Sequence, residues 1–181
     1  MLHANGFHGS GVQQITDRAG IPKGSFYAYF PSKEDFAAAV LAHYWNGIRR
    51  THGPLLQRTG DLEKVLRTYF HALADDHSTR DFTLGCLVAN LALECAGSSA
   101  AAAAQLRSIL HDWEGQITDC LTRHESVRDV VDDGSARERA AVLIEAWEGA
   151  VIRGKIEGSR APYDRFETQT LPRLLNAATF A

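Results

Sequence analysis

Apolar side chains recur along this chain at intervals of three and four rather than two, the period of helices buried on one face. Val12, Ile15 and Ala19 mark a short helix over 11–19, which Ser10 is placed to cap. Gly20 then falls where a helix end needs a left-handed residue, and Pro22 stands near the first position of a second helix over 22–30. Phe26 and Phe30 share a face of that helix, and Pro31 ends it. Ser32 and Asp35 form a capping-box pattern before a longer helix over 33–50, striped with Phe36, Val40, Leu41, Tyr44, Trp45 and Ile48. Gly53, Pro54 and Gly60 make 51–61 the expected boundary between a head (1–50) and a body (51–181).

The body reads as helix after helix. Leu62, Val65, Leu66, Tyr69, Phe70 and Leu73 form one stripe, and 85–96 is apolar enough to predict a helix buried on most sides. Ala100–Ala104 opens a long helix carrying Leu106, Ile109, Leu110, Trp113, Ile117 and Leu121. A polar stretch over 124–135, with a turn at Asp132-Asp133-Gly134, precedes a helix over 135–157 and a last one over 162–178 that Pro172 is predicted to bend. No alternation lasts long enough for a strand, so the expected class is all-α.

Composition narrows this reading without redirecting it. The 181 residues are 45% hydrophobic and 23% charged, which suits a packed globular chain and argues against wholesale disorder. No apolar run reaches a membrane-spanning length and the N-terminus has no leader pattern, so no membrane partner is expected. Three cysteines without a CxxC pair point to a reducing, cytoplasmic setting rather than a disulfide framework. Residues 1–50 carry five basic groups against three acidic ones, while the whole chain has a net charge of −3. A mildly basic head on an acidic body fits a module for a polyanion.

Helix, glycine turn and short helix over 11–30 is the layout of a helix-turn-helix, whose second helix enters the major groove of DNA. Small Gly24 and Ala28 permit close approach, Ser25, Tyr27 and Tyr29 offer hydroxyls, and Lys23 and Lys33 offer charge to phosphates. An ordinary helical hairpin with a solvated polar face has the same spacing. The residues decide further. Gly6-Phe7, Ser10-Gly11-Val12-Gln13-Gln14-Ile15-Thr16 and the run from Ala19-Gly20-Ile21-Pro22-Lys23-Gly24-Ser25-Phe26-Tyr27-Ala28-Tyr29-Phe30 through Pro31-Ser32-Lys33-Glu34 closely resemble the TetR family of bacterial transcriptional regulators.

That resemblance implies a three-helix DNA-binding head and a helical-bundle body that binds an effector and dimerises through its last two long helices. It assigns DNA contact to Gln13, Lys23, Gly24, Ser25, Tyr27, Ala28, Tyr29 and Lys33, with double-stranded operator DNA as partner. The implied interface residues of the homodimer are among Trp147, Val151, Phe166, Leu171 and Leu174. Family members carry a longer helix before the Gly-Phe turn, where this chain has only Met1–Asn5, so the first helix reads as truncated. One reading that follows is a member whose body dimerises and binds ligand while its head does not hold DNA.

The body resembles the electrophile-responsive subgroup that includes repressors of N-ethylmaleimide reductase, through Gly85-Cys86-Leu87-Val88-Ala89-Asn90-Leu91-Ala92 and Ala146-Trp147-Glu148-Gly149-Ala150. There the sensing cysteine corresponds to Cys86 and a nearby cation to Lys155, a pairing that favours thiolate and reaction with quinones or aldehydes. Free cysteine also serves as plain core filling, the expected role of Cys95 and Cys120. Trp113 and Trp147 either line an effector pocket or belong to helix core stripes. The eight histidines lack metal-ligand spacing, and Asp75-Asp76-His77 reads as a solvated helix end. No phosphate loop, nucleophile elbow or paired-carboxylate motif is present, so neither cofactor nor metal is expected, and a small helical enzyme using Cys86 is the alternative class.

Overall fold

The computed structural model describes residues 1–125 and 133–176, and among them there is no strand. In chain order the helices are α1 (Leu2–Asn5), α2 (Val12–Ala19), α3 (Lys23–Tyr29), α4 (Lys33–Leu56), α5 (Leu62–Ser78), α6 (Leu87–Cys95), α7 (Ala100–Glu125), α8 (Asp133–Glu157), α9 (Ala161–Arg165) and α10 (Leu171–Asn176). A π-helical turn, Phe166–Thr170, joins α9 to α10. The described residues group into two compact units. One is Met1–Gly47 with Cys86–Ile109; the other is Ile48–Gly85 with the residues from Leu110 onward.

In the first unit local chemistry sets the helix ends. Gly20 ends α2 in the left-handed region at φ 66°. The Ser32 hydroxyl donates to Asp35 Oδ2 at 2.6 Å and accepts from the Asp35 N–H at 3.0 Å, opening α4. Ser10 differs from its expected role. Gly11 is the cap residue of α2 and its N–H donates to Gln14 Oε1 at 2.9 Å, while the Ser10 hydroxyl turns back to the Gly6 carbonyl at 2.8 Å. Phe26 and Phe30 pack on Phe36, with ring centroids 5.3 and 5.1 Å away respectively. Leu2, Phe7, Phe26, Leu41 and Trp45 are buried, as are Leu87, Val88, Leu91 and Cys95 of α6. The stretch 85–96 is buried on most sides, as its composition predicts, with Leu93, at 87% exposure, on the side left to solvent.

Two other expectations change. α4 continues past residue 50 and through Gly53-Pro54 to Leu56. Proline in the final turn forfeits one intrahelical bond, and burial of His52 and Leu56 holds that turn in place. His52 Nε2 also meets Asp76 Oδ2 at 2.7 Å. The last helix is divided rather than gently bent. Pro172 has no N–H for the carbonyl four residues back, and the turn before it widens, with the Leu171 N–H bonding the Phe166 carbonyl five residues back. Of the stretch expected to be a loop, 126–132 lies outside the described residues, while Asp133 already begins α8. Residues 177–178 of the expected last helix also lie outside them.

The second unit is built on an aromatic core. Trp147 of α8 lies 5.0 Å from Phe70, 5.3 Å from Phe166 and 5.4 Å from Tyr163, centroid to centroid. Gly154 makes room for it: a Cβ there would sit 2.8 Å from Tyr163 Cζ. The Tyr163 hydroxyl is 3.0 Å from His77 Nδ1, and Asp75 pairs with Arg160 at 2.6 Å. Asp75, Asp76 and His77 thus end α5 with both carboxylates in solvent, as expected, and also make tertiary contacts that their spacing did not show.

Candidate functional site

The glycine at position 20 and the proline at 22 force α2 and α3 apart within three residues, and Phe26 fastens α3 inward. The opposite face of α3 is left to solvent. Lys23, Gly24, Tyr27 and Ala28 are exposed, Tyr29 is 79% exposed, and Ser25 is half-buried. A Cβ on Gly24 would meet nothing within 4 Å, so no neighbour in the protein requires glycine there. Gln13 is exposed on α2, its Nε2 donating to Asp17 Oδ1 at 2.7 Å. Seven of the eight residues expected to touch DNA thus present a side chain or backbone at the surface of one helix pair. The eighth, Lys33, begins α4 and is turned toward the protein: its ammonium donates to the Phe7 carbonyl at 2.9 Å and lies 4.1 Å from the centre of the Phe7 ring.

Cys86 is the cap residue of α6, and Gly85 before it is left-handed at φ 65°. The stem of Lys155 runs along Gly85, so close that an added Cβ would lie 3.2 Å from Lys155 Cδ. Cys86, Cys95 and Cys120 are all buried, at 7%, 0% and 0% exposure. Burial pushes the Cys95 thiol above its ordinary range, the Glu94 and Glu34 carboxylates push the same way, and Lys33 opposes them. Burial likewise pushes Cys120 up to about 11, against the pull of Arg123.

The tryptophans lie in the core, one of the two roles expected of them, and most residues expected at an interface are enclosed within the protomer. Trp113 and Trp147 are both buried within the chain, at 3% and 1% exposure. Trp147, Val151, Phe166 and Leu171 are each at most 2% exposed, and a side chain already enclosed by its own protomer has no surface to give a partner. Leu174 is half-buried. The exposed apolar residues on α8 are Ile152 and Ile156, at 48% and 78%. A helical stripe finds the apolar face, and on this helix that face closes the protomer.

Two open clefts in the second unit, of about 610 and 560 Å³, are lined by none of the expected effector residues. The larger includes Arg58, Asp61, Arg123 and His124; the smaller includes Lys64, Arg67, His71 and Glu167. Their only sequence signal is charge at positions flanking an apolar stripe, which any solvated helix shares. No described helix is long and apolar enough to cross a membrane.

Known proteins match both parts of the chain. Residues 1–40 match the family described as bacterial regulatory proteins, tetR family, and residues 63–169 match the C-terminal domain of LmrA/YxaF-like transcriptional regulators. The HTH-type transcriptional repressor DhaR of Mycobacterium sp. (strain GP1) is 33% identical over 94% of this chain and 84% of its own. The HTH-type transcriptional repressor NemR of Escherichia coli (strain K12) is 26% identical over 88% of this chain and 80% of its own. A crystal structure of the regulatory protein TetR from Rhodobacter sphaeroides superposes with a TM-score of 0.82 at 27% identity, covering 96% of this chain and 92% of that one. With a helix-turn-helix whose outer face is open and a helical body matched over most of its length, the chain belongs to the TetR family of bacterial transcriptional regulators.

Proposed function

We propose that this chain is a homodimeric repressor that holds operator DNA through residues 1–50 and releases it when residues 51–181 take up a small-molecule or electrophilic effector. The observation that carries the reading is the outer face of α3, where Lys23, Tyr27 and Tyr29 stand exposed while Phe26 anchors the helix from behind. In this reading Lys23 neutralises phosphate, Gly24 and Ala28 let the helix approach the bases, and Ser25, Tyr27 and Tyr29 supply hydroxyls. Gln13 contacts DNA from α2. Lys33 spends one hydrogen on Phe7 and offers the others to phosphate. Two heads on a two-fold axis read a near-palindromic site, and the protein works in the cytoplasm.

Cys86 is the sensing thiol in this reading. It is the most accessible of the three cysteines, at 7% exposure, and caps a helix whose N-terminal partial charge favours thiolate. Trp113 and Trp147 act here as core rather than as ligand contacts.

The test is a DNA-release assay. A fluorescent duplex, selected from random DNA by the wild-type protein, is bound and then challenged with a quinone. Wild type is expected to let go, and Cys86→Ser to stay bound. Release that is equal in both proteins removes Cys86 from the mechanism; failure to select any duplex removes the repressor reading itself.

A further inference from the structure

α6 (Leu87–Cys95) reads Leu-Val-Ala-Asn-Leu-Ala-Leu-Glu-Cys, and Glu94 is its one charged residue. A carboxylate in the last turn of a helix is poorly placed with respect to the helix dipole, so local helix energetics do not explain it. Its contacts do. Glu94 Oε2 accepts the backbone N–H of His8 at 2.8 Å, within the same compact unit. The carboxylate also presses on Gly6: a Cβ there would lie 2.9 Å from Glu94 Cδ, and Gly6 is left-handed at φ 73° besides. Glycine at position 6 therefore meets two demands at once, a backbone conformation and room for Glu94.

The segment so held is the Gly6–Ser10 turn, which joins α1 to α2. Ser10 ties it from inside, its hydroxyl donating to the Gly6 carbonyl at 2.8 Å. Lys33 ties it from the other side, through the Phe7 carbonyl at 2.9 Å and the Phe7 ring. Phe7 is 5% exposed and His8 carries the N–H that Glu94 accepts, so neighbouring residues of one turn are gripped from α6 and from α4. Lys33 starts the helix that follows α3, and Gly11 at the end of the turn starts α2. The first helix of the helix-turn-helix and the helix that follows its second are thereby referred to this turn. The Cys95 thiol, which responds to Glu94, Glu34 and Lys33 together, places the same charges around one point.

We propose that Glu94 is a positioning residue for operator binding, acting from α6 by holding the Gly6–Ser10 turn through the His8 N–H. The assignment rests on the operator-binding reading above. Glu94 does not touch DNA in it. It fixes the turn, and the turn fixes the entry to α2 and the seat of Lys33.

The experiment uses the full chain with Glu94→Ala and Glu94→Gln. Glutamine keeps a carbonyl oxygen for the His8 N–H and gives up only the charge. Affinity is read on the duplex selected by wild type, across a salt series, with hydrogen exchange at the His8 amide measured in the free proteins. Glu94→Ala is expected to bind about fivefold more weakly with an unchanged salt slope, since no phosphate contact is lost. Glu94→Gln is expected to stay within about twofold of wild type. The His8 amide should be protected in wild type and Glu94→Gln and exchange freely in Glu94→Ala. The proposal is overturned if Glu94→Ala binds like wild type, or if Glu94→Gln falls as far as Glu94→Ala. Where wild type selects no duplex, the operator reading has failed on its own account; an unprotected His8 amide in wild type then overturns the Glu94 contact independently.

Discussion

Lys23 stands exposed at the first residue of α3, so its charge can be removed without disturbing the packing behind it. Its expected role is a sequence-independent phosphate contact. Lys23→Ala should weaken binding to operator and random duplex alike and lower the slope of log K against log salt by about one. Fluorescence anisotropy over a salt series checks this, and an unchanged slope would strike Lys23 from the contacts. The cysteines separate at the same scale. The Cys120 thiol ordinarily titrates at 9.0 and is pushed up to about 11 by burial. Below about pH 9 folded and unfolded states both hold the proton. Between 9 and 11 the unfolded thiol gives it up while the folded one keeps it, so stability falls as pH rises through that window and levels off above it. The loss is of the order of 2–3 kcal/mol for a gap of about two pH units. Urea midpoints at pH 8 and pH 11 should show this loss in wild type and a smaller one in Cys120→Ala.

Among the elements, α8 shows how a helix is shaped by one neighbour. Gly154 costs about 1 kcal/mol of helix propensity relative to alanine. It is retained in the structure because the Tyr163 ring occupies the space of a side chain. Tyr163 is fully buried and cannot swing out cheaply. Gly154→Ala should therefore destabilise the protein by about 1–3 kcal/mol despite its gain in propensity. Tyr163→Leu should reduce the cost of the alanine, and a double-mutant cycle by thermal or urea unfolding measures that coupling. Additive effects would place the strain elsewhere. The π-helical turn before α10 has an equally local cause in Pro172, which was legible as a disturbance of the helix, though not as the widened turn that results.

For the whole molecule the proposed dimer makes a testable choice between two faces of α8. Ile152 and Ile156 lie exposed on it, whereas Val151 is 1% exposed in the protomer core. Wild type is expected to sediment as a dimer at micromolar concentration. Ile156→Glu should yield monomers that keep their helical circular dichroism, because the charge burdens only the association. Val151→Glu should instead lower the melting temperature, since the charge is buried inside each protomer. The reverse pattern would return the interface to the residues expected from the helical stripe. A monomeric wild type would overturn the dimeric reading.

What the sequence by itself determined is whatever rests on neighbours in the chain. The α2–α3 turn follows from Gly20 and Pro22, the start of α4 from Ser32 and Asp35, and the family from an unbroken run of residues over 19–34. Each is a short-range matter of backbone conformation or a side chain bonding three residues away, so periodicity and motif report it. Only the tertiary structure decided which apolar residues were already enclosed, because a stripe has the same period whether it faces its own protomer or a partner. It alone turned Lys33 toward Phe7, gave Asp75 and His77 at the end of α5 their partners Arg160 and Tyr163, and brought Glu94 to a turn 86 residues away. These are encounters between side chains remote in sequence, and their partners are set by how helices pack, a relation that no local spacing encodes.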